Sequence, residues 1–295
     1  MSNLLPDTSQ RLLSLAHPRS VSPGTARLAF ERASRGEKTG IAGAFATSPL
    51  HLLTPRNHGD ASWVFLASLG GGLLDGDQLD VKVDVAPGAS ALLGTQSSTK
   101  VYRSQAGGAG SSQHLEASVG ADGLLVAVPD PVVCFADARY EQRVEVALAP
   151  SSSLCLLDGY TCGRSARGER WAFSRYASRT TVRRGGALVV ADAVQLDPRH
   201  GALVDRMGGY DVVLTLIALG PRCAGIRGAM LEAAVGKSAS EASREALVAA
   251  SRLEGDGGCI LRVAAPRFEM ASRILRSSFT ELARVLGDDP FARKW

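Results

Sequence analysis

One pattern recurs along most of this chain. A short run of alternating apolar and polar residues is broken by glycine, proline, asparagine or aspartate, and the alternation then resumes. It is seen in SWVFLASL (62–69), LDVKVDVAPGASALLGT (79–95), GLLVAVPDPVVCF (123–135), YEQRVEVALAPSSSLCLLDGY (140–160), RWAFSRYASRTTVRRGGALVVADAVQL (170–196) and YDVVLTLIALGP (210–221). A period of two residues buries one face of a strand. No helical segment follows each strand, which excludes parallel β–α–β winding and predicts a mostly antiparallel, mainly β body. The 32 glycines and the 5% aromatic content suit many short strands joined by tight turns.

Helices are expected only late. FEMASRILRSSFTELARVL (268–286) sets Ala271, Ile274, Leu275, Phe279, Leu282, Val285 and Leu286 on one stripe, and Gly287 with Asp-Asp-Pro then ends the helix. Residues 224–236 and 240–252 are weaker helical candidates beside the LEGDGG turn (253–258). Residues 1–22 lack any period and read as a flexible leader, followed by a single domain over 23–295.

The net charge of +4 is modest, and only five of the 33 basic residues are lysine, so nucleic acid is not an expected partner. Cys134, Cys155, Cys162, Cys223 and Cys259 are odd in number and contain no C-x-x-C pair, which fits a reducing compartment. With no apolar run long enough to span a membrane and no signal-peptide pattern at the N-terminus, the chain reads as cytoplasmic.

The stretch GGGLLDGDQLDVKVDV (70–85) packs acids between a glycine knot and a strand. It fails the dinucleotide fingerprint, whose third glycine is misplaced here, and the calcium loop, whose ligand positions hold Leu79 and Asp80. GTQSSTK (94–100) fails as a phosphate loop because Thr99 stands where glycine is required. Parity says more. Asp77 is in phase with Leu79, Val81 and Val83, Asp158 with Leu154 and Leu156, and Asp192 with Val190 and Val194. Three acids are thus assigned to inward faces, where an ionised carboxylate must be paired, hydrogen-bonded or wet. They either cap turns or line a polar passage. His58 and His114 have polar surroundings and read as surface or loop positions, and no serine has the elbow or partners of a catalytic triad. GRSARGE (163–169) reads as a solvated turn closing a hairpin.

The ordered set GGGLLDGDQL, APGASALLGTQSSTKVYRS, VPDPVVCFADARY, LCLLDGYTCGRSARGE, GGALVVADAVQL, GGYDVVLTLIALGPR and DPFARKW resembles the urease accessory proteins UreD, also called UreH, over residues 25–295. The resemblance implies an irregular β-helical body with C-terminal helices and a non-enzymatic role. It implies binding of apo-urease, UreF and the GTPase UreG in a homodimeric arrangement, with no permanent cofactor and with nickel in transit through a polar tunnel. Matched by position, the functional polar residues it implies are Asp77, Thr99, Lys100, Asp158, Glu169 and Asp192. The chain departs from the family at Asp75, an added charge, and at Ala193, where many members have arginine; residues 236–257 match poorly. A docking scaffold without a metal path, or a small-molecule hydrolase using Asp77 or Asp158 as base, are the rival readings.

Overall fold

The computed structural model describes residues 23–33, 38–236, 246–254 and 257–292, so the 1–22 leader lies outside the described residues. Two sheets carry the fold. The first runs, in spatial order, β16 (Ala187–Leu196), β15 (Arg175–Arg184), β11 (Arg139–Leu148), β8 (Ser111–Val119), β5 (Gln78–Val85), β1 (Gly24–Arg32) and β2 (Thr39–Ala46). The second runs β18 (Leu247–Arg252), β19 (Cys259–Ala265), β17 (Val212–Leu219), β12 (Ser153–Thr161), β9 (Leu124–Val128), β6 (Ser90–Thr95), β4 (Ser62–Ser68) and β3 (Leu50–Leu53). The short strands β7 (Lys100–Val101) and β10 (Val132–Cys134) branch from it, and β13 (Gly163–Arg164) pairs with β14 (Glu169–Arg170) in a separate hairpin.

The expectation of a mostly antiparallel body is overturned at the centre. β1, β5, β8, β11 and β15 form one continuous parallel ladder, and β4, β6, β9 and β12 form another. Antiparallel pairs occupy the flanks, as in β1–β2, β15–β16 and β12–β17–β19–β18. The physical reason lies in the crossover. Parallel neighbours need a return connection, usually a helix. Here the return is itself a strand: the chain passes from β5 to β6 in the opposite sheet, back to β8, across to β9, and back to β11. A coil of this kind needs no helix, so the missing helical segments could not exclude it.

Alternation decides what each sheet buries. In β5, Leu79, Val81, Val83 and Val85 enter the core between the sheets while Lys82 and Asp84 are exposed. The second sheet is covered on both faces, so β6 and β9 are buried at every position, and β9 reads as an unbroken apolar run. On β12, Leu154 and Leu156 face the first sheet, whereas Cys155 and Leu157 join a second core beneath the helices.

That second core is closed by α2 (Ala224–Gly236) and α3 (Phe268–Leu286); α1 (Leu203–Met207) is a single turn before β17. α3 has the predicted bounds, buries Ala271, Ile274, Leu275, Leu282 and Leu286, and stops at Gly287 with φ +74°. The helix expected over 240–252 is corrected. Residues 247–252 form the edge strand β18, folded onto β19 with Val248 and Ala250 turned to the core, while 240–245 lie outside the described residues. Among the described residues no helix is long and apolar enough to cross a membrane.

Candidate functional site

The glycine–aspartate stretch is first of all a turn. The Asp77 carboxylate accepts the Leu74 N–H at 2.7 Å, and the Asp77 N–H returns to the Leu74 carbonyl at 3.0 Å. Gly76 sits inside this turn with φ +88°, a conformation that costs a side chain but not glycine. Asp75 accepts the Gly110 N–H at 2.9 Å, which ties the loop to the start of β8. Gly72 lets the loop approach β7, since a Cβ there would lie 2.7 Å from the Lys100 carbonyl oxygen. Asp77 is half-buried, and its turn-capping role accounts for its contacts.

Asp158 is placed differently. It extends from β12 into the layer between the sheets, on the face of Leu154 and Leu156. Two strands of the first sheet supply its partners: Gln142 Nε2 of β11 donates to Oδ1 at 2.9 Å, and Ser178 Oγ of β15 donates to Oδ2 at 2.8 Å. Burial raises the carboxyl above its ordinary range; the bonds from Ser178, Gln142 and the Gly159 N–H oppose this without cancelling it, and the Asp192 charge adds to it. Asp192 reaches the same layer from β16 and accepts from Arg262 of β19 at 2.8 Å. The register sets Asp158, Thr215 and Arg262 side by side across β12, β17 and β19, so one polar row crosses these three strands of the second sheet. Tyr160 joins this group, and Tyr176 Oη and Thr180 Oγ1 lie buried nearby in β15 with no hydrogen-bond partner among the described residues.

Two cavities open into the inter-sheet layer. One, of about 110 Å³, is lined by Gly71, Gly72, Thr99, Lys100 and Gln113; the other, of about 30 Å³, is lined by Gln113, Gln142 and Asp158. They share Leu66, Thr95 and Gln113 as a common wall. A water needs roughly 10–15 Å³ of such space, so both have room for one. Asp77 and Glu169 line neither. Glu169 instead belongs to the β13–β14 hairpin, closed as the sequence suggested. It is paired with Arg164 and accepts the Ala136 N–H at 3.1 Å, and both contacts, Arg164 foremost, hold its carboxyl below the usual range. Arg164 in turn lies 3.9 Å above the Phe135 ring.

The structure therefore gathers Asp158 and Asp192 in one layer, sets Thr99 and Lys100 at the far end of adjoining cavities, and leaves Asp77 and Glu169 in local structural contacts. Sequence reasoning missed Gln142, Ser178 and Arg262. The first two were detectable, because each is a polar residue in phase with the inward-facing Tyr140 or Tyr176. Arg262 supplies the ion-pair partner that Ala193 had left open. Among the described residues no group of three or more His, Cys, Asp and Glu side chains is arranged to hold a metal ion.

The fold and this layer define a coiled β-protein of two sheets with a hydrogen-bonded acidic cluster between them. The profile of one family, described as UreD urease accessory protein, matches residues 22–295. A urease accessory protein UreD of Sorangium cellulosum is 53% identical over 277 residues, covering 94% of this chain and 86% of its own length. One from Anaeromyxobacter is 45% identical over 254 residues (86% of this chain, 84% of its own), and urease accessory protein D of Arabidopsis thaliana is 31% identical over 284 (87% and 96%). The chain belongs to the UreD family of urease accessory proteins.

Proposed function

We propose that this chain is a non-catalytic cytoplasmic scaffold that binds apo-urease and, with UreF and the GTPase UreG, serves the insertion of nickel into urease. In this reading Ni²⁺ is cargo that crosses the chain between its two sheets. Asp158 carries the proposal: an acid set in a buried layer, raised by burial, and facing a cavity that shares walls with a second one. Burial favours the protonated form of this carboxyl, and a divalent ion binds it by displacing the proton, which returns when the ion leaves. Oxygen ligands at spaced positions suit passage, whereas a closed cage of four ligands would retain the ion. Asp192, on the same layer, is the second oxygen site, and Thr99 and Lys100 lie by the outer cavity. Five buried, unbridged thiols support the reducing compartment.

The test pairs Asp158→Asn with Asp192→Asn. The double variant is expected to fold and to co-purify with UreF, UreG and apo-urease, while the urease matured with it holds well below the wild-type nickel content. Full nickel loading would leave the scaffold standing and remove the route. A second reading, a docking scaffold with no metal route, is favoured by Asp77, whose contacts are those of a turn cap. It predicts normal nickel loading for every one of these variants.

A further inference from the structure

We propose that the outward face of β15 and β16 is a docking surface for an acidic patch on a folded partner protein. The parallel register sets Arg139 directly across from Arg175, and Arg143 across from Arg179. Adjacent strands lie about 4.8 Å apart, and like charges facing each other at that spacing destabilise a sheet. Local acids relieve this only in part. Glu141 meets Arg175 at 3.5 Å, and Glu145 is taken by His114 at 3.0 Å. Arg143 and Arg179 are exposed and form no ion pair among the described residues.

The ground around these side chains is low. Between the arginines of β15 stand Ala177 and Thr181, and β16 presents the exposed Ala191 and Ala193 beside them. Arg179 thus rises from a floor of small residues, with Arg175 and Arg183 roughly 13 Å to either side at about 3.3 Å per residue and the exposed Leu188 beside Arg183. A flat floor with projecting guanidiniums accommodates carboxylates carried on another folded surface, and each guanidinium offers them a bidentate fork. Beyond β11 in the same sheet, β8 and β5 expose Glu116, paired with Lys82, and Asp84, so the face is of mixed sign and lacks the uniform positive field that a polyanion such as nucleic acid or an anionic membrane favours. A protein surface of mixed sign fits both halves of the sheet. β15 and β16 themselves turn Ser178 and Asp192 inward, so the docking face lies one strand's thickness outside the acidic layer.

The experiment rests on the accessory reading, which supplies purified apo-urease as the probe. Association is measured by surface plasmon resonance for the wild-type chain, Arg179→Glu/Arg183→Glu, and Arg179→Gln, with folding of each checked by circular dichroism. The expected result is association slowed about tenfold or more in the charge-reversal variant, with a milder effect of the glutamine and a weaker salt dependence. Unchanged association in the reversed variant would overturn the docking face while leaving the accessory reading intact. Wild-type chain that fails to bind apo-urease would overturn both. Duplex DNA binding that the reversal abolishes, with apo-urease binding unaffected, would reassign the arginines to a polyanion.

Discussion

Replacing Asp158 by asparagine should stabilise the protein at neutral pH, although the wild-type carboxylate is fully hydrogen-bonded. Gln142 and Ser178 donate to its two oxygens at 2.9 and 2.8 Å. Asparagine keeps one oxygen for Gln142, and its amide can donate to Ser178, whose hydroxyl then accepts. Leucine keeps neither. Two donors left unsatisfied in a buried layer cost roughly 1–3 kcal/mol each, so Asp158→Leu should lose about 2–6 kcal/mol. Because burial raises the native pKa of Asp158 above the ordinary 3.8 of the unfolded chain, the native state holds the proton more tightly. Its contribution to stability is therefore fully present below about 3.8 and declines as pH rises through the raised value. Asp158→Asn removes that decline. Urea unfolding followed by circular dichroism, from pH 4 to pH 8, measures both effects. The asparagine variant should match wild type at the acid end and exceed it at pH 8. If it is destabilised at pH 8 as much as the leucine variant, the charge itself stabilises the layer and the reasoning fails.

Other expectations follow from contacts described above or from close approaches between elements. Gly59→Ala should cost about 2–3 kcal/mol in the same unfolding assay, because a Cβ there would fall 1.9 Å from the Leu286 carbonyl oxygen at the end of α3. Arg262→Gln strands Asp192, whose side chain is 16% exposed; with the arginine itself 49% exposed, the loss in the same assay should be about 1–2 kcal/mol. Burial pushes the Cys134 thiol to about 12 and the Cys162 thiol to about 11, so native protein at pH 8 should react with a thiol reagent only over hours, and denatured protein at once at all five cysteines. Prompt labelling of Cys134 in the native state would contradict its placement in the core.

Local periodicity carried much of the design. The stripe of α3 and the stop at Gly287 were legible because helix period, apolar face and terminator all agree over nineteen residues. The inward placement of Asp158 and Asp192 was legible because strand parity is strict. Strand direction was not. Alternation looks the same whether a neighbour runs parallel or antiparallel, and the device that makes this coil parallel, a return through the opposite sheet, leaves no local trace. β18 was misread because its alanines satisfy a helical period as easily as an edge strand, and only pairing with β19 decides. Arg262 was invisible as a partner of Asp192 because 70 residues separate them and the pair forms only when the two sheets stack.

The helices that close the second core also impose an order of events on the growing chain. Much of the outer side of the second sheet, with Trp63, Leu92, Val126, Leu157 and Leu216, is present in sequence by residue 219, before β19 adds Leu261 and Val263, yet its cover comes from residues 224–236 and 268–286. Until the last of these leaves the ribosome, a broad greasy plane is open to any passing chain. A product truncated before α3 should therefore clump rather than remain a smaller working version, and a binding factor that shields this plane during synthesis would raise the yield of usable protein.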